Sequence, residues 1–213
     1  MSTPIVTARM GDNAPLFADI ISLYVPEGAL VLDMTYGNGN FWKGNGLPDH
    51  YRRVSMDYEK AADVCANFES PPFRAGIFGA VVFDPPYANN GGEHTGEMAE
   101  GIQKSYNLKP GLSWKDIQRL YAIGMFEAER LLAGSGILIV KCQDLVEGSK
   151  QRRMEHHVSW LADCLHLEDE DTFVLVNPHP PVMRHPYQHH ARKNHSYFRV
   201  WRKPGIAGQG ALL

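Results

Sequence analysis

The sequence contains no acidic residue after Asp171, although 24 of its 213 residues are Asp or Glu. Arg184, Arg192, Lys193, Arg199, Arg202 and Lys203 fall in that acid-free stretch, so residues 1–171 carry 15 basic and 24 acidic side chains, a net −9. Half of the ten histidines (His179, His185, His189, His190, His195) lie in the same stretch. This asymmetry points to an anionic partner at one edge of the molecule. Cysteine is scarce: Cys65, Cys142 and Cys164 stand apart with no CxxC pair, which excludes a disulfide framework. They sit in apolar stretches and read as buried, reduced thiols, which implies a cytoplasmic compartment. No run reaches the roughly 18 apolar residues of a membrane span, and Met1-Ser2-Thr3-Pro4 lacks the regions of a signal peptide. With 44% hydrophobic and 21% charged residues, the composition excludes a mainly disordered or collagen-like chain. The length suits one domain, 1–213.

What is present is a set of short apolar runs that end in an acid. Residues 29–33 (ALVLD), 54–57 (VSMD) and 79–83 (GAVVF, followed by Asp84) read as buried parallel strands with loops at their C-terminal ends. Residues 63–66 (DVCA) make a further short strand. Pro85 cannot donate to a sheet ladder, so the third run must stop at Asp84. Ser113-Trp114-Lys115-Asp116 reads as a capping box opening a helix, whose apolar residues recur to Leu132, with Gly134 as its C-cap. A strand at 136–141 (GILIVK) and a helix over 150–165 follow. Strands at 172–176 (TFVLV) and 196–201 (SYFRVW) then pair antiparallel across the His/Pro-rich connection 177–195. Strands alternating with helices, closed by a strand pair, predict an α/β three-layer sandwich. Ligands of such folds bind beyond the C-terminal strand ends, where Asp33, Asp57 and Asp84 would share one edge.

Two loops on that edge carry chemistry. After Asp33 the chain reads Met34-Thr35-Tyr36-Gly37-Asn38-Gly39-Asn40-Phe41-Trp42, and its glycines allow close approach to a ligand. A dinucleotide site would want a third glycine where Trp42 stands, which argues against NAD. Asp57 is spaced to accept hydrogen bonds from ribose hydroxyls. Asp84-Pro85-Pro86-Tyr87 is far more specific, arising by chance in roughly one protein of this length per thousand. Its prolines stiffen the loop, and the Pro85 carbonyl and Asp84 carboxylate can together hold an amino group. Tyr87 can stack on a planar base.

Asp33…Gly37-Asn38-Gly39…Phe41-Trp42, followed by Asp84-Pro85-Pro86-Tyr87, resembles the amino-directed DNA methyltransferases that use S-adenosyl-L-methionine. The glycine loop precedes the DPPY loop, as in their γ arrangement. Gly136–Lys141 and the segment 192–202 are similar to short members of the group, so the resemblance covers about residues 14–203. It implies a Rossmann-like class I fold, mostly parallel with an antiparallel last strand. It also implies that Asp33, Thr35, Tyr36, Gly37, Gly39 and Phe41 hold the methionine moiety and Asp57 the ribose. Asn67 and Phe68 would flank the cofactor adenine, Asn67 standing where an Asp is common. Asp84 and Pro85, with Pro86, would orient the target amine, and Tyr87 would stack on the base. The implied activity is methyl transfer to an exocyclic amine of DNA, adenine N6 before cytosine N4, with an RNA base as the alternative. A large separate target-recognition domain is missing from these residues, which argues against strict sequence specificity.

The basic segment supplies candidate phosphate contacts in Arg184, Arg192 and Lys193. Segment 88–112, with five glycines and only Lys104 and Lys109, reads as a lid over substrate. Phe198 and one of Tyr197 or Trp201 are expected in the core. No Pro-Cys stands ready for cytosine C5 chemistry, since Val64, Lys141 and Asp163 precede the cysteines. His185, His189 and His190 lack a Cys or acidic neighbour, so no metal is expected, and His156 and His157 read as surface residues. The non-enzymatic alternative is a nucleic-acid-binding module that keeps the fold without turnover.

Overall fold

The computed structural model describes residues 4–44, 50–58, 60–86, 112–178, 187, 190, 191 and 193–205. β1 (Ala8–Met10) leads into α1 (Asn13–Tyr24). β2 (Leu30–Asp33), β3 (Arg52–Asp57), β4 (Val64–Cys65) and β5 (Phe78–Phe83) follow. After α2 (Trp114–Leu131) come β6 (Leu132–Cys142), a hairpin of β7 (Leu145–Glu147) and β8 (Lys150–Arg152), then α3 (Met154–Cys164), β9 (Glu168–Val176) and β10 (His195–Arg202).

Eight strands form one sheet in the order β1-β9-β10-β6-β5-β2-β3-β4. All neighbours are parallel except β10, which runs antiparallel to both β6 and β9. The chain winds outward from β2 through β3 to β4, then returns to lay β5 on the other side of β2. That reversal is the point at which open α/β sheets bind ligands, and Asp33 and Asp84 flank it.

Strand period decides the two cores. Val31, Ala80, Val82, Ile137, Ile139, Phe198 and Val200 face α1, which contributes Leu16, Phe17, Ile20 and Ile21. Leu32, Val81, Phe83, Leu138, Val140 and Trp201 face α2 and α3. Phe198 and Trp201 are therefore core residues, whereas Tyr197 is half-buried and bonds to His195. Ser113 and Asp116 form the expected reciprocal cap of α2.

Gly124 of α2 lies directly on the Phe83 ring; a Cβ built there would stand 2.0 Å from Phe83 Cζ. Overpacking of this kind costs about 1–3 kcal/mol, while alanine's better helix propensity offsets roughly 1 kcal/mol. Gly124→Ala is expected to lower the urea midpoint with an unchanged slope; a midpoint at or above wild type would contradict the packing.

Several expectations need correction. The helix predicted over 150–165 begins only at Met154, because Gly148 (φ 53°) and Ser149 (φ 60°) close the β7–β8 hairpin. Two successive left-handed residues are what a tight two-residue hairpin turn requires. Gly134 does not cap α2: the helix stops at Leu131 and β6 starts at Leu132. Ser135 (φ 64°) is the left-handed residue there, and its N–H donates to the Lys203 carbonyl. Only Cys142 is buried; Cys65 on the sheet edge and Cys164 at the end of α3 are exposed. His156 is exposed, but His157 is half-buried, stacked on Trp160 and facing Gln118 of α2. Burial lowers the His157 pKa. The sequence reading missed α1 and β1. No described helix is long and apolar enough to cross a membrane.

Candidate active site

The loop after β2 turns back on itself. Gly37 (φ 55°) and Gly39 (φ 66°) adopt left-handed backbone, and a Cβ at Gly39 would meet the Tyr36 hydroxyl at 2.6 Å. Both positions therefore require glycine. Tyr36 N–H donates to the Met56 carbonyl at 3.0 Å, which lays the loop across the end of β3. Asp57, 5% exposed, anchors it from below: Oδ2 accepts from Gly37 N–H at 2.8 Å and Oδ1 from Lys60 N–H at 2.9 Å.

Asp33 is also buried. Its carboxylate accepts from Thr35 N–H at 3.1 Å and from the Trp42 indole N–H at 2.6 Å. Trp42 thus fills the place of a third glycine with a donor that serves Asp33. Thr35 Oγ1 accepts from Asp84 N–H at 2.7 Å and ties the glycine loop to the loop after β5. Asp33, Thr35 and Asp84 are one connected unit.

Asp84 is held from β6. Its Oδ2 lies 3.6 Å from Lys141 Nζ, whereas Oδ1 is buried without a hydrogen-bond partner among the described residues. A buried carboxylate oxygen left unpaired is costly, and an incoming N–H donor would satisfy it. Burial raises the Asp84 pKa and Lys141 opposes that rise. Asp33 is pushed up to about 7, chiefly by burial, with the nearby Asp84 charge adding to the effect and the Trp42 and Thr35 bonds opposing it.

A carboxyl raised in the folded state stabilises the protein most below its unfolded pKa, near 4, and loses that contribution as pH rises through 7. The described chain, free of ligand, is expected to melt at a lower temperature at pH 8 than at pH 5.5. Asp33→Asn is expected to remove much of that fall; an undiminished pH dependence in the variant would show that Asp33 is not its source.

The structure brings Asp33, Thr35, Tyr36, Gly37, Gly39, Asp57 and Asp84 to one edge, with Pro85 buried beside them. Phe41 instead packs into the α1 core, 5.0 Å from Phe17 and 5.4 Å from Phe198. Phe68 lies beneath the site, edge-on to Phe83 at 5.2 Å, while Asn67 Oδ1 accepts from Glu69 N–H. Tyr87, Arg184, Arg192 and segment 88–111 lie outside the described residues. Lys193 is half-buried, and its carbonyl accepts from Gln143 Nε2 at 3.4 Å.

The basic character of the last strand needs correction. Arg199 pairs with Glu155 and Asp169, Arg202 with Glu170, and Lys203 with Glu129. Three of the six tail cations are thereby spent inside the fold, against acids that precede Asp171. The sequence reading also missed Lys141. Its signal was present: GILIVK is an apolar strand ending in a charge, the pattern that singled out the acids. Beyond Lys141, a polar cleft of about 370 Å³ opens between Asn13, Gln143, Asn177, Asn194 and Ser196.

Solved structures share this architecture. A SAM-dependent methyltransferase from Methanosarcina mazei superposes with a TM-score of 0.52 at 13% identity, over 88% of this chain and 98% of that one. The 1,6-didemethyltoxoflavin-N1-methyltransferase of Burkholderia thailandensis, with bound S-adenosylhomocysteine, superposes with a TM-score of 0.50 at 14% identity, over 88% and 76%. The fold is that of the Rossmann-like class I methyltransferases. In the class I arrangement seen here, β2, β3 and β5 deliver Asp33, Asp57 and Asp84 to the same edge. No protein-family model matches the chain, and no curated protein matches it.

Proposed function

We propose that the chain transfers a methyl group from S-adenosyl-L-methionine to an exocyclic amine of a nucleic-acid base, adenine N6 of DNA in the first instance. The observation that carries this reading is Asp84: a strand-end carboxylate with one oxygen held and the other buried and without a partner among the described residues, followed by a buried proline. The site also fits the cofactor's charge. Asp33 is buried, lies near the Asp84 charge and is pushed up to about 7, chiefly by burial. A cationic ligand relieves that excess of negative charge.

S-adenosyl-L-methionine supplies an electrophilic methyl carbon on a sulfonium sulfur. The loop 33–39 and Asp57 would hold it, with Asn67 at its adenine. Asp84 Oδ1 would accept one N–H of the target amine and the Pro85 carbonyl the other. An exocyclic amine is a poor nucleophile because its lone pair is delocalised into the ring. Two acceptors outside the ring plane favour a tetrahedral nitrogen, and fixed placement supplies much of the remaining acceleration. Pro86 would stiffen the loop and Tyr87 stack on the base. The base must leave a duplex to reach the site, at a few kcal/mol; Arg184, Arg192 and Lys193 would offset this through phosphate contacts.

The test is to incubate the protein with methyl-deuterated cofactor and unmethylated duplex DNA, single-stranded DNA and RNA, then digest and weigh the nucleosides. Labelled N6-methyldeoxyadenosine is expected. Label on cytosine N4 or on RNA alone would redirect the substrate, and no label on any base would overturn the reading.

A further inference from the structure

Lys141 is the penultimate residue of β6, follows an apolar run, and is only 6% exposed. A buried ammonium is costly unless it is paired. Val140 lies opposite Phe83 in the parallel β5–β6 ladder, so Lys141 and Asp84 follow as the next residues of neighbouring strands. Both point to the α1 face of the sheet, as Ile139 and Val82 do two residues earlier. Nζ sits 3.6 Å from Asp84 Oδ2, 5.7 Å from the centre of the Phe41 ring and 5.8 Å from that of Phe198. The faces of the two rings lie within cation–π range of the ammonium. Thr35 Oγ1 fixes the Asp84 backbone N–H. Asp84 is thus held at both its main chain and one carboxylate oxygen, and the remaining oxygen is Oδ1, buried and without a partner among the described residues.

We propose that Lys141 is a positioning residue for methyl transfer: its ammonium pins Oδ2 and favours the charged form of Asp84, so that Oδ1 is presented to the acceptor amine. The inference rests on the function proposed above. It explains why a charge stands at the end of β6, where the core would otherwise favour another apolar residue. It also bears on the acceptor. In its charged form a carboxylate only accepts hydrogen bonds, so an acceptor that arrives with an N–H, as a neutral amine does, is favoured over a ring nitrogen lacking hydrogen.

Among the described residues, the titratable groups acting on Asp84 are Lys141, Asp33 of β2 and the Cys142 thiol of β6. Lys141 is the one cation among them. An opposite charge at this range lowers a carboxyl pKa by about 1–3 units. The experiment uses the full chain labelled with 13C-aspartate, the Asp84 carboxyl signal being assigned from its loss in Asp84→Asn. In Lys141→Met the Asp84 carboxyl is expected to titrate at least about one pH unit higher than in wild type. The acid limb of the kcat/KM profile is expected to move by the same amount, and Lys141→Arg to return both. Lys141→Gln serves as the neutral variant should the Met protein fail to fold. An Asp84 signal that does not move in a folded neutral variant overturns the proposal. So does an Asp84 signal that moves while the acid limb stays fixed. A wild-type protein that methylates no base defeats the proposed function instead, and the carboxyl titration alone then judges the Lys141–Asp84 coupling.

Discussion

Asp84→Ala is expected to lower methyl transfer by roughly 10²–10³-fold, the usual cost of removing one preorganised hydrogen-bonding group at a reacting centre. Its effect on cofactor affinity should stay within a few fold. The division follows from the geometry. Asp84 hangs from the end of β5, touching the glycine loop only through its backbone N–H, while its side chain points to Lys141. Removing the carboxylate leaves the loop's other anchors, Asp33 and Asp57, untouched. Calorimetric titration with S-adenosyl-L-methionine, alongside initial rates, separates the two quantities. A loss of affinity as large as the loss of rate would place Asp84 in cofactor binding and remove it from the role proposed here.

Asp57→Ala is expected to act in the opposite sense. Cofactor binding should weaken by about 1.5–3 kcal/mol, the range for hydrogen bonds made to a charged group. Two causes add. The ribose contact proposed for the carboxylate disappears, and Gly37 and Lys60 lose the acceptor that holds their N–H groups. The loop's left-handed turn at Gly37 and Gly39 is then no longer tied to the end of β3. An unchanged dissociation constant in a folded variant would reduce Asp57 to a strand end. A variant that binds weakly but turns over normally at saturating cofactor would match the expectation in full.

The strands of the sheet were legible because each is a short apolar run that ends abruptly in a charge, glycine or proline. The edge shared by Asp33, Asp57 and Asp84 followed from that alone. Helix α2 was legible from its cap and period. Helix α1 escaped notice although Leu16, Phe17, Ile20 and Ile21 carry the spacing of a buried stripe, because its N-cap residue Asp12 makes no side-chain capping bond and its first turn has no acid. The β7–β8 hairpin was hidden inside what read as a helix; two left-handed residues at Gly148 and Ser149 outweighed the polar sequence around them. Charge was the least legible property. Counting the tail's cations could not reveal that Arg199, Arg202 and Lys203 meet acids from α2, α3 and β9, since partners across a sheet are far apart in sequence. Lys141 was passed over for a related reason: only strand adjacency brings it to Asp84.

The place of β10 has a consequence for how the molecule is made. It is the last of the described strands in sequence, yet it lies between β6 and β9 rather than at an edge. Until residues 195–202 have been synthesised, β9 with β1 on one side and β6 with its neighbours on the other have no strand to join them. The nascent chain therefore carries two unfinished half-sheets with open edges, and the α1 core waits for Phe198 and Val200. Pairings that span so much of the sequence form slowly and leave sticky edges exposed meanwhile. The strands that carry Asp33, Asp84 and Lys141 pair directly with one another, so that edge can form first, and what waits for β10 is its union with β9 and β1.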